Sequence, residues 1–306
     1  MTAQALESTP EVIALFGPTG VGKTAVALEL ADILRRRGED PVAISADALQ
    51  VYAGLETLTG VAGAPERARL EHRLVSFVAI SEPYSVGQYM PLAHAEIDAA
   101  LSAGRRPLVV GGTGLYLRAA LAQLDLRPPP APAARERIER ELATRGPLAL
   151  HVELRARAPL VADRVEPTDS SRLVRALELA ESGRLERAPD PSQLWAPEMR
   201  RPTLLVGLEM ERSALSARID ARVERMVAEG AGEEVRRAHE AGASRTARKA
   251  LGFEELLAGD VEAMKRRTRR YAKRQLTWMR KLAGVHVLDV TDLRPADVAA
   301  RVAALL

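Results

Sequence analysis

Gly17, Gly22, Lys23 and Thr24 stand in the spacing G-x-x-x-x-G-K-[ST], a pattern whose chemistry is the holding of a di- or triphosphate. Glycines let the backbone curl its N–H groups around an anion, and the partial positive charge of a helix N-terminus adds to the attraction. In the loop Gly17-Pro18-Thr19-Gly20-Val21-Gly22-Lys23-Thr24, Lys23 supplies a point charge to the outer phosphate. The Thr24 hydroxyl is of the type that ligates Mg²⁺ in such loops. The nearest carboxylate at the end of a predicted strand is Asp47. A third group of residues lies far along the chain, where Lys265 to Lys281 carries nine basic residues in seventeen and no acidic one. A solvated helix face normally mixes both signs, so this tract predicts a polyanionic partner. Tyr271 and Trp278 lie within it, and aromatic rings among arginines suit nucleic-acid bases and backbone.

The elements that must position these groups follow from hydrophobic runs and helix formers. Val12–Phe16 reads as a buried strand before the loop, and Ala25–Leu34 as a helix after it, which is the context the motif requires. Pro41–Ser45 is a second strand, leading to Asp47. Helical Met90–Ala103 precedes a third strand, Pro107–Val110, which ends in Gly111-Gly112-Thr113-Gly114. Thr203–Leu208 returns to strand character, and helices follow it at Ser213–Glu229 and through the basic tract. Strands alternating with helices predict an α/β fold: a parallel sheet of the P-loop NTPase kind, flanked by helices, with its site at the strands' C-terminal ends. A proline-rich break at Pro128–Pro132 divides the chain. The expected organisation is a first core segment over 1–126, a mostly helical insertion over 127–202, and a return strand with C-terminal basic helices over 203–306. Within the basic tract, helical spacing puts Ala272, Leu276, Met279 and Ala283 on one apolar stripe. Trp278 lies off it, beside Tyr271, Arg274 and Lys281.

Composition narrows the classes. A chain of 306 residues with 47% hydrophobic and 28% charged residues and a net charge of +3 reads as a soluble globular protein. It has no cysteine, which excludes disulfides, thiolate metal sites and zinc fingers. No stretch reads as a signal peptide or a membrane span, so the expected location is the cytoplasm. A motor-type or signalling NTPase ends its third strand in an aspartate that holds Mg²⁺ through water. Here that strand ends Val110-Gly111-Gly112, without a carboxylate. A small-metabolite or nucleoside kinase, with the basic tract as its lid, is the alternative enzyme.

Taken together, "GPTGVGKT", "ISADALQVYAGL", "VVGGTGLYL", "DSSRLVRALE", "RIDARV" and "AKRQLTWMRK" resemble the tRNA dimethylallyltransferase (tRNA isopentenyltransferase) family, in its order and spacing from about residue 12 to residue 289. The resemblance implies transfer of a prenyl group from dimethylallyl diphosphate to the exocyclic N6 amine of an adenosine 3′-adjacent to the anticodon, with Mg²⁺ as cofactor. It implies that the loop over Gly17–Thr24 grips the diphosphate of a prenyl donor. It further implies Asp47 as general base, with Lys23, Arg222 and metal-ligating Thr24 stabilising the leaving diphosphate. By the same resemblance, contacts to the tRNA anticodon stem-loop fall to Asp47, Ala48, Leu49, Gln50, Thr113, Arg135, Arg172, Arg175, Lys249, Gly252, Lys273, Arg274, Gln275, Trp278 and Arg280. A monomer without membrane attachment is expected. The chain departs from the family pattern at Val61, in place of a lysine, and at Phe253-Glu254, in place of Tyr-Lys. These positions are peripheral to the catalytic set. Prenylation of a free adenine nucleotide is the alternative activity within the same chemistry.

Overall fold

Five residues of β1, Val12–Phe16, are all buried, as befits a central strand with neighbours on both sides and helices on both faces. The computed structural model describes residues 9–126, 132–183 and 191–306. Strands are numbered in chain order, and helix labels go to the longer helices. After β1 come α1 (Lys23–Arg36), β2 (Pro41–Ser45), β3 (His72–Arg73), α2 (Val86–Ser102), β4 (Arg106–Gly111) and α3 (Gly114–Leu121). Next are α4 (Pro132–Arg157), α5 (Ser170–Glu181), β5 (Thr203–Glu209), α6 (Arg212–Ala228), α7 (Ala231–Glu240), α8 (Val261–Met279), β6 (His286–Asp289) and α9 (Pro295–Ala303).

The strands form one six-stranded sheet in the order β3-β2-β4-β1-β5-β6, with every pairing parallel. In β1, Ala14 is in register with Val109 of β4 on one side and Leu205 of β5 on the other. Because the strands are parallel, the segments that follow β1, β2 and β4 emerge at the same edge of the sheet. That edge receives the phosphate loop, Asp47 and Thr113. The core beneath it is built from Ile13, Leu15, Leu30, Leu34, Val206 and Leu208, with Ile219, Val223 and Ala272 from α6 and α8. Among the described residues, no helix is long and apolar enough to cross a membrane.

The four predicted strands are present, and two further strands complete the sheet. β3 has only two residues, and β6 is an edge strand whose residues are mostly exposed, so neither carries a buried run. Helix α2 begins at Val86 rather than Met90, because Ser85 and Gln88 form a reciprocal capping box at its start. The second compact unit spans Asp125–Gln193, which corrects the expected 127–202. Leu194–Pro202 belongs to the sheet-bearing unit. There Arg200 and Arg201 pair with Asp98, and the Pro202 carbonyl accepts from the N–H groups of Glu11 and Val12. Part of the proline-rich break, 127–131, and residues 184–190 lie outside the described residues.

The second unit is helical. Its α4 is broken at Gly146, where φ is 77°, a left-handed value suited to glycine. Asp169 caps α5 by accepting from the Arg172 N–H. Ile138, Leu150, Leu154, Leu173 and Leu177 close a small core of their own.

Candidate active site

The phosphate loop turns twice through left-handed backbone, at Gly20 (φ 84°) and Gly22 (φ 102°). At Gly17 a Cβ would lie 2.7 Å from the Leu208 carbonyl oxygen, so the loop sits against β5 with no room for a side chain. Lys23 folds back over it, its Nζ donating to the carbonyls of Gly17 at 2.9 Å and Pro18 at 3.0 Å. Burial lowers the Lys23 pKa to about 8, opposed by the charge of Asp47 and reinforced by that of Arg222. The ammonium is therefore still charged at neutral pH. The Val21 side chain points into the core, and its N–H bonds the Pro18 carbonyl. The first-turn N–H groups of α1, including those of Lys23 and Thr24, have no intrahelical acceptor and are suited to an anion.

Asp47 lies two residues past the end of β2, half-buried. Its Oδ1 accepts from the Leu49 N–H at 3.0 Å. Burial is the main influence on its carboxyl and raises its pKa, with the Leu49 N–H bond and the Lys23 charge pulling the other way. A carboxylate whose proton affinity is increased while it stays fixed in place is a competent general base. Thr113 stands at the N-cap position of α3 without a capping bond from its side chain. Its Oγ1 accepts from the Ala48 N–H at 3.3 Å and lies 3.5 Å from the Tyr271 hydroxyl. Burial pushes the Tyr271 hydroxyl up to about 12, and the Asp47 charge adds to this. The turn after β2, the end of β4 and helix α8 thus meet around Asp47.

Arg222 reaches the same place from α6. A Cβ on Gly60 would sit 1.9 Å from its Nη2, so the guanidinium takes the space where a side chain at 60 would begin. Burial lowers its pKa and the Asp47 carboxylate raises it, yet a guanidinium keeps its charge throughout the physiological range. One turn earlier on the helix, Arg218 Nη2 would be 3.3 Å from a Cβ on Gly22. The sequence reading passed over Arg218, although its four-residue spacing from Arg222 puts both on one face of α6.

Of the residues expected to contact RNA, several have other employment. Gln50 accepts from the Ser45 hydroxyl at 2.9 Å and donates to the Gly60 carbonyl at 3.2 Å, so its amide ties the turn together from within. Leu49 packs against the core, while Ala48 is half-buried beside it. Gly252 has φ 97°, and a Cβ there would meet Met264 at 2.6 Å, which makes it a packing position. Lys249 is exposed. In the helical unit, Arg135 and Arg175 both pair with the buried carboxylate of Glu178, at 3.1 and 3.3 Å, and Arg172 is exposed.

Helix α8 divides its charges. Lys265 pairs with Glu224 and Glu262, Arg267 with Glu255, and Arg269 with Asp220. These are internal ties that the count of basic residues did not separate. Lys273, Arg274 and Arg280 are exposed and have no carboxylate partner among the described residues. The Arg274 guanidinium lies 5.5 Å from the centre of the Tyr271 ring, which joins this cationic face to the site around Asp47. Gln275, which the resemblance sets among the RNA contacts, is buried. Trp278 packs on Gly114, where a Cβ would come within 2.1 Å of its ring, and against Trp195 with ring centroids 4.5 Å apart.

A model of the IPP transferase family matches residues 50–282. The chain is 40% identical to a tRNA dimethylallyltransferase of Kineococcus radiotolerans, over 96% of each chain. Among solved structures it is similar to a full-length tRNA isopentenylpyrophosphate transferase from Bacillus halodurans, with 31% identity and a TM-score of 0.68, covering 97% of this chain and 96% of that one. A eukaryotic dimethylallyltransferase acting on tRNA shares 25% identity with a TM-score of 0.73, covering 97% of this chain and 78% of that one.

Proposed function

The chain belongs to the IPP transferase family, and from that premise we propose that it transfers a dimethylallyl group from dimethylallyl diphosphate to the exocyclic N6 amine of the adenosine 3′-adjacent to the anticodon in tRNA. The observation that carries this reading is the meeting of Lys23, Arg222 and Asp47 at one sheet edge, each felt electrostatically by the others, beside the cationic face of α8. The amine nitrogen attacks the allylic carbon, forming the N–C bond as the bond to the diphosphate oxygen breaks. Asp47 takes the proton that the amine sheds. Lys23, Arg222 and the N–H groups opening α1 receive the charge that gathers on the departing diphosphate. The adenine leaves its stack to reach this edge, at a cost that contacts to the surrounding RNA offset.

Mg²⁺ fits the donor set here. Among the described residues no three His, Asp or Glu side chains cluster as a metal cage, and Mg²⁺ commonly takes few protein ligands, completing its shell with phosphate oxygens and water. Thr24, at the start of α1, would hold it, and the ion would supply further charge neutralisation to the diphosphate. The absence of a carboxylate at the end of β4, Val110-Gly111-Gly112, favours a prenyl donor over ATP.

Incubation with bulk tRNA and labelled dimethylallyl diphosphate is expected to place label in RNA, without ATP or GTP turnover. Nucleotide hydrolysis that rises with tRNA, and no label in RNA, would overturn the assignment. The exposed face of α8 offers a separate check. Arg274→Ala is expected to flatten the log–log dependence of tRNA affinity on salt by about one unit, the signature of one lost phosphate contact. An unchanged affinity and slope would mean that Arg274 meets no phosphate.

A further inference from the structure

Gln275 has both ends of its amide engaged inside the protein. It is only 5% exposed. Its Oε1 accepts from the Thr19 N–H at 2.9 Å, and its Nε2 donates to the Gly112 carbonyl at 2.7 Å. The fit around it is close. A Cβ on Gly112 would lie 2.4 Å from Nε2 and 3.3 Å from the Lys23 ammonium. One side chain from α8 therefore spans the gap between the phosphate loop after β1 and the turn after β4. The neighbouring residues Lys273 and Arg274 stand exposed on the same helix. The Thr19 amide, in the loop expected to grip the diphosphate, makes this bond.

We propose that Gln275 is a positioning residue of the donor site, fixing the phosphate loop against the end of β4 from the helix that carries the RNA-facing cations. The proposal rests on the prenyl-transfer reading only for the identity of the anion. A side chain without the two hydrogen bonds leaves the Thr19 N–H and the Gly112 carbonyl unpaired in a confined space. The loop then relaxes away from the geometry in which the opening of α1 and Lys23 converge.

The test measures binding of inorganic diphosphate with Mg²⁺ by calorimetry, without RNA, for the wild type, Gln275→Met and Gln275→Glu. Gln275→Met is expected to weaken diphosphate binding by about tenfold or more and to raise the donor KM. Its tRNA affinity should stay within about twofold of the wild type, as expected of a side chain that touches no RNA. Gln275→Glu keeps the size and the acceptor for Thr19 but loses the donor to Gly112 and adds an anion near Lys23. It is expected to weaken diphosphate at least as much, and it carries the test if the methionine variant does not fold. Diphosphate binding that is unchanged in both folded variants overturns the proposal. So does a loss confined to tRNA affinity, which would make Gln275 an RNA contact. These binding measurements decide the role of Gln275 whether or not label reaches RNA, so failure of the transfer reading is told apart from failure of this one.

Discussion

Replacing Asp47 with alanine is expected to slow single-turnover prenyl transfer by a factor on the order of 10²–10⁴, the usual worth of a positioned base. The carboxylate is pinned by the Leu49 N–H and desolvated enough for its pKa to rise, so it is aimed as well as basic. Donor affinity should hold or improve, because an anion near the diphosphate has been removed. The pH profile gives a second reading. In the proposed mechanism Asp47 works deprotonated and Lys23 protonated, so kcat/KM for the donor should climb as pH passes the raised pKa of Asp47. It should fall again as pH passes about 8, the value to which burial brings Lys23. Asp47 itself helps to keep Lys23 protonated, so the alkaline fall should move to lower pH in the alanine variant. A near-normal single-turnover rate in Asp47→Ala would assign the proton to another group.

Arg222→Ala is expected to lower the same chemical rate by roughly 10²–10³-fold, the scale on which loss of one preorganised charge-stabilising group is felt. The guanidinium lies within electrostatic reach of both Lys23 and Asp47 and acts on charge that develops as the diphosphate leaves. Arg222→Lys should recover little, since an ammonium lacks the planar fork that fits beside Gly60. Affinity for tRNA should be unaffected. Rapid-quench measurement at saturating substrates checks this, and equal rates in the alanine variant and the wild type would remove Arg222 from the mechanism.

The sheet was legible in the sequence wherever a strand is buried on both sides, as in Val12–Phe16 and Thr203–Glu209. It was illegible at β3 and β6, whose edge positions ask for no apolar run. The phosphate loop and Asp47 were legible because their chemistry is local: a loop, a helix start, a strand end. What hid was long-range. The acids that neutralise Lys265, Arg267 and Arg269 come partly or wholly from other elements, including Glu224, Glu255 and Asp220, so counting charge within a window overstated the free cations. The burial of Gln275 was hidden for a related reason. Met264, Thr268, Ala272, Gln275 and Met279 share the buried face of α8, a helical period visible in the sequence. The resemblance set Gln275 among the RNA contacts, and its two bonding partners lie more than 150 positions away.

Gly60 has no functional group and stands far along the chain from Arg222, yet the guanidinium occupies the space where a side chain at 60 would begin. Its carbonyl also receives the Gln50 amide, and its φ of 64° is one that other residues adopt reluctantly. A side chain at this position would therefore push the Arg222 guanidinium aside, a shift its flexible stem can make but one that takes the charge from its place. Gly60→Ala would thus act on the reaction through the position of a neighbour's charge, as a milder counterpart of losing Arg222 itself.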